Sequence, residues 1–266
     1  MTAAEAASTT LSIEAAVELL LDARSGRRPL APLSETDPGL TVEQAYAIQD
    51  ALRVEVERRG ERTIGWKLGS TSAASQAVMG GKGPAAGFLF SGLYASGAEI
   101  SLGGFVKLAV EVEVAFRMRT ELVGPGVTPA TAGSAVEGAI AAFELGDFMY
   151  SGKPREVDFI ANSRLAKAIV LGSRVTPLEG LDLALEGVVY EQNGQIVGTH
   201  TAAEVMGDPL NALAWLANHL QTRGLTLEPG DVVISGCISK ILYPKAGDTI
   251  RARFTRLGSI AIKVVP

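Results

Sequence analysis

Short runs of β-prone residues alternate with glycine-rich turns over residues 61–266, and this alternation constrains the fold more than any other feature. Asn193-Gly194 separates two runs in which apolar and polar residues alternate, and this dipeptide favours the tight turn of a β-hairpin. The last hairpin is predicted to turn at Leu257-Gly258. The pattern therefore predicts a β-rich core.

Helical periodicity is confined to four segments. Apolar residues recur there at helical spacing, and Ser12 and Thr41 are suited to cap the first two helices. The predicted helices cover residues 12–24, 41–60, 128–142 and 209–223. The first two indicate an N-terminal helical extension, residues 1–60, in front of a catalytic domain, residues 61–266, and residues 1–10 are expected to fray. The balance of elements predicts an α+β fold.

The composition excludes several classes of function. With 24 Lys and Arg against 29 Asp and Glu, the chain carries a net charge of −5 and is not suited to bind nucleic acid or an anionic membrane. No apolar run has the length of a membrane span, and the first residues do not resemble a secretory signal. The single cysteine, Cys237, excludes a disulfide within the chain and is expected to be a buried apolar residue. We therefore expect a cytoplasmic protein.

The segment from Val110 to Val114 carries acidic residues at alternate positions. In a strand, Glu111 and Glu113 share one face and the valines share the other. Strands with this pattern usually present a solvated acidic face, but the apolar residues on both sides indicate an interior strand. Two buried carboxylates repel each other unless a cation or a proton neutralises them, and their oxygens suit Mg²⁺ or Mn²⁺. A third acid, Glu144, also lies among apolar residues.

Several short motifs occur in the order and spacing of one known family. They are IGWKLGSTS (64–72), PAAGFL (84–89), KLAVEVEVAF (107–116), LVGPG (122–126), FELGD (143–147), GDPLNALAWLANHL (207–220), DVVISG (231–236) and GDTIRARFTRLGSI (247–260). Each motif alone is weak, but their order and spacing together are specific. On these motifs the chain resembles the 2-keto-4-pentenoate hydratase / 4-oxalocrotonate decarboxylase family, part of the fumarylacetoacetate hydrolase superfamily.

This resemblance implies a fold, a metal site and a chemistry. The implied fold is a β-rich mixed β-sandwich roll, and the implied cofactor is Mg²⁺ (or Mn²⁺), held by Glu111, Glu113 and Glu144. Lys67 is the implied catalytic lysine, next to the carboxylate and enol oxygen of a small anionic 2-oxo acid. The implied substrate contacts are Ser70, Asn162, Ser163, Ser235 and Gly236. The family acts on 2-hydroxydienoates from aromatic ring cleavage, and the metal stabilises the dienolate.

Two departures from the family pattern bear on the reaction. Family hydratases carry an acid where this chain has Ala85, and a methyl group cannot transfer the proton that hydration needs. The family segment A-D-N-A-S corresponds to residues 160–164, so its Asp is absent and Arg164 either meets a second anionic group or faces water. Decarboxylation needs no base, and an apolar wall favours the loss of CO₂. We therefore favour decarboxylation of a 4-oxalocrotonate-like diacid.

Three alternatives remain open from the sequence. The first is hydration of 2-hydroxypenta-2,4-dienoate. The second is C–C hydrolysis of an acylpyruvate, which typically uses a His–acid pair to activate water, and the chain has no histidine before His200. The third is a non-catalytic partner subunit, although the charged residues of the implied site are intact. For the assembly we expect a homo-oligomer, or a complex with a sister hydratase or decarboxylase.

Other polar residues have simpler interpretations. His200 and His219 lack metal-ligand spacing and are not assigned to the site. Asp147 either orients a ligand of the metal or caps the segment that follows it. The glycine-rich residues 79–87 lack the strand–glycine–helix context of a nucleotide-binding loop and are predicted to form a lid or turn.

Overall fold

The structure of the chain, a computed structural model, describes residues 10–266. Of the segment 1–10 that is expected to fray, all but Thr10 lies outside the described residues. The helices are α1 (Ile13–Gly26), α2 (Leu33–Thr36), α3 (Val42–Arg58), α4 (Ala73–Met79), α5 (Pro129–Ser134), α6 (Glu156–Ala161) and α7 (Pro209–Gln221). The strands are β1 (Thr63–Gly69), β2 (Ala85–Phe90), β3 (Leu93–Ala95), β4 (Glu99–Ser101), β5 (Leu108–Met118), β6 (Val136–Asp147), β7 (Ala166–Leu171), β8 (Gly187–Gln192), β9 (Gln195–Thr201), β10 (Val232–Ile234), β11 (Thr249–Phe254) and β12 (Ser259–Val265).

The strands of residues 10–266 form two mixed sheets. The larger sheet has the order β2-β1-β10-β5-β6-β7-β3, and the smaller sheet has the order β4-β12-β11-β8-β9. Strand β3 follows β2 after a short turn, yet it pairs with β7 at the opposite edge of the larger sheet. The backbone N–H of Ile169 in β7 donates to the carbonyl of Gly92 in that turn. The larger sheet therefore curls into a roll whose two edges meet.

Three of the predicted helices and both hairpins are confirmed. Ser12 caps α1 by accepting a hydrogen bond from a backbone N–H of its first turn, and Thr41 forms a reciprocal capping box with the side chain of Gln44 at the start of α3. The third, α7, begins at Pro209, within the predicted range. Strands β8 and β9 turn at Asn193-Gly194, where both residues have positive φ, as a tight hairpin turn requires. Strands β11 and β12 pair around the turn at Leu257-Gly258.

The predicted helix over residues 128–142 is wrong beyond its first part. Helix α5 ends at Ser134, and Val136 begins strand β6. The sequence of β6 is rich in Ala and Gly, whose small side chains can be packed in a helix or in a strand. This segment forms a strand because its backbone pairs with β5 on one side and β7 on the other. Gly138 shows how close this packing is, because a Cβ atom there would lie 2.3 Å from the carbonyl oxygen of Thr176.

The N-terminal helices share one core with the sheets. Leu20 of α1 and Ile48 of α3 are buried in the same cluster of apolar side chains as Trp66 of β1 and Phe88 of β2. The helices therefore cover the roll and fix the position of β1 and β2. Among the described residues, none of the helices combines the length and the apolar character needed to cross a membrane.

Strand β5 separates two environments. Val110, Val112 and Val114 belong to the main core, as the alternation predicts. On the opposite face, Ala115 continues into a second buried apolar cluster that includes Ile140 of β6. The acidic residues of β5 lie on this second face, so the fold encloses them within protein.

Candidate metal centre and active site

Strands β5 and β6 bring the three predicted metal ligands together. Glu111 of β5 lies directly opposite Glu144 of β6, and Glu113 lies two residues along on the same face. One carboxylate oxygen from each residue lies within 4.8 Å of those of the other two. Glu113 and Glu144 are fully buried, and Glu111 is 7% exposed. The acidic face of β5 is therefore buried and not solvated.

Burial removes the water that would otherwise solvate these carboxylates. Oε1 of Glu113 and Oε1 of Glu144 have no hydrogen-bond partner within residues 10–266. Burial raises the pKa of Glu113 to about 8, with a smaller raising effect from Glu111 and with Lys67 opposing the shift. The backbone N–H of Gly236 donates to Oε2 of Glu113 at 2.6 Å and also favours its charged form. A cation would replace the solvation that these oxygens have lost.

Lys67 reaches the same cluster from β1. Strand β10 lies between β1 and β5, and the register from Lys67 through Ile234 to Ala115 places the lysine on the face of the glutamates. Its ammonium group contacts Oε2 of Glu144, and the residue is 4% exposed. A buried ion pair of this kind is costly to break, because the remaining charge is left without a partner.

The donor set fits a hard divalent cation. The three glutamates supply carboxylate oxygens, two of them buried and unpartnered in the described chain. Mg²⁺ and Mn²⁺ prefer such oxygen ligands. Lys67 brings one positive charge against three carboxylates, so a divalent ion would bring the cluster close to electrical balance.

A cavity of about 180 Å³ opens beside the cluster. Its walls include Lys67, Ser70, Glu111, Phe148, Arg164 and Cys237. An internal cavity of roughly 150 Å³ is large enough to hold benzene. The space next to Glu111 and Lys67 therefore suits an acid of about six carbons.

One wall of the cavity carries a buried ion pair. Arg164 donates to Oε1 of Glu156 at 2.7 Å and to the hydroxyl of Ser70 at 3.2 Å. The Ser70 hydroxyl in turn donates to Oε1 of Glu156 at 3.0 Å. Arg164 is only 7% exposed, so it does not face water. The sequence did not single out Glu156, since no motif marks it and its partners lie in other elements.

Comparison with known proteins identifies the family of the chain. Residues 87–265 match the family model of the fumarylacetoacetate (FAA) hydrolase C-terminal domain, which is more than half of the chain. The chain belongs to the fumarylacetoacetate hydrolase family.

Relatives within this family cover nearly the whole chain. The chain is 34% identical over 255 residues to the 2-hydroxyhexa-2,4-dienoate hydratase of Comamonas testosteroni, covering 94% of this chain and 97% of that protein. It is 34% identical over 232 residues to the 4-oxalocrotonate decarboxylase of Pseudomonas putida, covering 86% and 87%. The solved structure of 4-oxalocrotonate decarboxylase from Pseudomonas putida G7, complexed with magnesium and adipate, matches with a TM-score of 0.92 at 29% identity over 95% and 97% of the two chains. The predicted family, roll fold and lyase class are confirmed.

Not all predicted substrate contacts of this fumarylacetoacetate hydrolase family member reach the cavity. Asn162 accepts a hydrogen bond from Arg24 at 3.1 Å, and the hydroxyl of Ser163 bonds to both backbone polar groups of Phe88. The hydroxyl of Ser235 is buried and has no partner in the part of the chain that the structure describes. The polar atoms of Asn162 and Ser163 thus hold the fold, and a role in substrate binding stays a prediction.

Asp147 anchors the start of β5 and takes no place in the acidic cluster. Its Oδ1 accepts hydrogen bonds from the backbone N–H groups of Val106 and Lys107, and its Oδ2 pairs with Lys167 at 3.2 Å. Cys237 is half-buried, contrary to the expectation of full burial, because it lines the cavity. Burial, and then the Glu111 carboxylate, raise the pKa of its thiol well above the ordinary value, which keeps it protonated.

The glycine-rich segment and the two histidines lie outside the acidic cluster. Residues 79–87 do not form one lid or turn, because the last three, beginning with Ala85, belong to β2. His219 packs against Trp215 with the rings 4.7 Å apart and nearly parallel. His200 lies in β9, and neither histidine is among the described residues that line the cavity.

Proposed function

We propose that this chain is a Mg²⁺-dependent lyase acting on 2-oxo and 2-hydroxydienoate acids of aromatic ring-cleavage catabolism, and that it decarboxylates a 4-oxalocrotonate-like diacid. The observation that carries the proposal is the buried cluster of Glu111, Glu113 and Glu144 with Lys67 beside a small cavity. Similarity to 4-oxalocrotonate decarboxylases in both sequence and structure supports it.

Each charged residue has a distinct part in this proposal. Glu111, Glu113 and Glu144 would hold the metal, which when bound supplies a Lewis acid next to the carboxylate and 2-oxygen of the substrate. Lys67 lies beside the same position, where its ammonium group stabilises the negative charge that develops on the enol oxygen. The surrounding buried side chains exclude water and so strengthen these electrostatic interactions.

Ala85 supports decarboxylation over hydration. It lies in β2 directly opposite Gly69 of β1, on the face that carries Lys67, and it is 2% exposed. Its methyl group cannot accept or donate a proton, whereas hydration needs a group that does so at the attacking oxygen. Loss of CO₂ needs no such group, because the leaving carboxylate is already ionised.

Hydration is the second candidate, and the hydrogen bond between Ser70 and Glu156 is the observation in its favour. Ser70 lines the cavity, and its hydroxyl donates a hydrogen bond to Oε1 of Glu156 at 3.0 Å. This pair offers a route by which water can lose a proton without an acid at Ala85. Similarity to the hydratase of Comamonas testosteroni also supports this candidate.

The deciding experiment supplies wild-type protein and Mg²⁺ with each substrate in turn. We expect CO₂ from the 4-oxalocrotonate-like diacid, and little 4-hydroxy-2-oxo acid from 2-hydroxypenta-2,4-dienoate. Hydrated product without any CO₂ would contradict the choice of reaction. Glu111→Gln should weaken Mg²⁺ binding by roughly tenfold or more in calorimetry. Glu137→Gln is the matched control, since Glu137 is an exposed residue of β6. Equal Mg²⁺ affinity in both variants would contradict the metal assignment.

Two further alternatives are tested in the same assays. Acylpyruvate hydrolysis lacks support because neither His200 nor His219 lines the cavity within the described chain. Pyruvate released from a panel of acylpyruvates would reverse this ranking. A non-catalytic partner subunit would bind Mg²⁺ and oxalate but would turn over no dienoate, alone or with a sister enzyme.

We also propose a cytoplasmic homo-oligomer, or a complex with a sister hydratase or decarboxylase. The exposed apolar side chains Leu185 and Ile196, at 74% and 62% exposure, lie before and within the β8–β9 hairpin and suit an interface between subunits. Light scattering on the purified protein tests this assembly, and a monomer at all concentrations would contradict it.

A further inference from the structure

We propose that Arg164 binds the distal carboxylate of the substrate and so makes the site selective for dianionic acids about six carbons long. The inference rests on the proposed function, in which the three glutamates and Lys67 bind the 2-oxo acid end. It assigns a role to a residue that departs from the family pattern and that the proposed chemistry leaves unused.

The guanidinium group of Arg164 packs against Gly69 of β1. A Cβ atom at Gly69 would lie 2.2 Å from Nη2 of Arg164, so the guanidinium group occupies the space that a side chain at Gly69 would fill. Lys67 and Gly69 are alternate residues of β1 and therefore share one face. Two residues of a strand span about 7 Å. Arg164 thus lies on the substrate face of β1, one alternate position beyond Lys67.

This spacing matches the length of a short diacid. Five carbon–carbon bonds of about 1.5 Å each give a distance of about 6 Å between the carboxyl carbons of an extended six-carbon chain. A six-carbon diacid is therefore about as long as the spacing between alternate positions of β1, such as those of Lys67 and Gly69. The cavity of about 180 Å³ includes both Lys67 and Arg164 in its walls.

The hydrogen bonds of Arg164 are incomplete. Its Nη1 donates to Glu156 and its Nη2 to Ser70, but its Nε is buried and has no acceptor among residues 10–266. Guanidinium groups bind carboxylates through two N–H groups at once, and Nε is one of the donors used in such contacts. Glu156 and Ser70 thus leave the guanidinium group with further N–H donors for a carboxylate.

The two departures from the family pattern meet at this position. Ala85 is paired with Gly69 across β1 and β2, so Arg164 lies over the strand pair at the site of the absent hydratase acid. A Cβ atom at Gly87 would lie 3.1 Å from Cγ of Arg164, so the arginine side chain runs along the same face of β2. A carboxylate at Ala85 would compete with a substrate carboxylate for the guanidinium group. The methyl group brings no such charge, so Glu156 is the carboxylate paired with Arg164 within residues 10–266.

An unusual backbone turn holds the arginine in place. Ser163, Arg164 and Leu165 all have positive φ, between 49° and 63°, which is strained for side chains other than glycine. The Ser163 hydroxyl fixes the turn to β2 through its bonds to the backbone of Phe88. Strain of this kind persists where the surroundings impose it, often at ligand sites.

The test measures binding to the Mg²⁺-loaded full chain by calorimetry, with oxalate, succinate, adipate and hexanoate as probes. Oxalate reaches only the metal end, succinate is too short to reach Arg164, and hexanoate lacks the second charge. We expect adipate to bind the wild type at least tenfold more tightly than succinate or hexanoate. The wild type alone can therefore refute the proposal, since equal affinities for adipate and hexanoate would overturn it.

A double variant, Arg164→Met with Glu156→Gln, removes both charges of the pair and leaves no buried charge unpaired. It should bind adipate and hexanoate within threefold of each other and keep the wild-type affinity for oxalate. The matched control is Arg223→Met with Asp50→Asn, which removes a partly buried ion pair that does not line the cavity. An adipate preference that survives in the Arg164 double variant would overturn the inference. Failure of the wild type to bind oxalate would instead refute the proposed metal site, and this inference with it.

Discussion

Gly236→Ala is the substitution whose effect on the metal site follows most directly from the geometry. Gly236 has a φ of +121°, a conformation that side chains other than glycine rarely adopt. A Cβ atom there would lie 2.3 Å from Oγ1 and 2.8 Å from Cγ2 of Thr71, so the backbone or Thr71 must shift. The same backbone N–H donates to Oε2 of Glu113 at 2.6 Å. The added methyl group therefore displaces a donor from a predicted metal ligand.

The expected magnitude follows from that hydrogen bond. A hydrogen bond to a charged group contributes about 1.5–3 kcal/mol. Each 1.4 kcal/mol corresponds to about a tenfold change in affinity. If the orientation of Glu113 depends on Gly236, the variant should bind Mg²⁺ roughly 10- to 100-fold more weakly. The positive φ should in addition lower the free energy of unfolding by about 1–2 kcal/mol.

Calorimetric titration with Mg²⁺ and denaturant unfolding separate these two effects. Gly97→Ala is the matched control, because Gly97 also has a positive φ (+95°), but a Cβ atom there would meet no atom of the described residues within 4 Å. The control should show the loss of stability without the loss of Mg²⁺ affinity. A folded Gly236→Ala protein with the Mg²⁺ affinity of the control would refute the reasoning.

Three further predictions test other parts of the structure. Lys67→Met should bind Mg²⁺ at least as tightly as the wild type in calorimetry, because a nearby positive charge is lost. Its turnover in product assays should fall by roughly 100-fold or more, because the ammonium group no longer stabilises the charge on the enol oxygen. Burial, with help from Arg223, lowers the pKa of His219 to about 4. The unfolded chain binds a proton at His219 near pH 6.5, whereas the folded chain binds it only near pH 4. The free energy of unfolding of the wild type should therefore fall as the pH is lowered from 6.5 to 4. In thermal unfolding, His219→Phe should show a smaller fall over this range. Gly65→Ala should prevent folding, since its Cβ would lie 1.9 Å from a backbone oxygen of β10. Gly60→Ala has no atom of the described chain within 4 Å of its Cβ, so it should fold and lose only the roughly 1–2 kcal/mol that its positive φ of +96° costs.

The acidic cluster shows how far a local pattern reaches. Alternation in β5 places Glu111 and Glu113 on one face, and the apolar neighbours indicate burial, because both effects depend on residues next to them in the chain. The pattern could not show that Glu144 lies opposite Glu111. That contact depends on the register between β5 and β6, and the first half of β6 was predicted as a helix. Resemblance to the family, and not periodicity, supplied the third ligand.

Elements with local signals could be predicted from the sequence alone. They are the capped helices α1 and α3, the hairpin at Asn193-Gly194 and the alternating strand β5. The surroundings of Arg164, in contrast, depend on contacts between distant segments. Glu156 is eight residues away and Ser70 is 94 residues away, and they meet the arginine only because β1, α6 and the strained turn pack together. Whether a charged side chain faces water or a buried partner depends on which distant segments cover it, and that is set by packing of the whole chain.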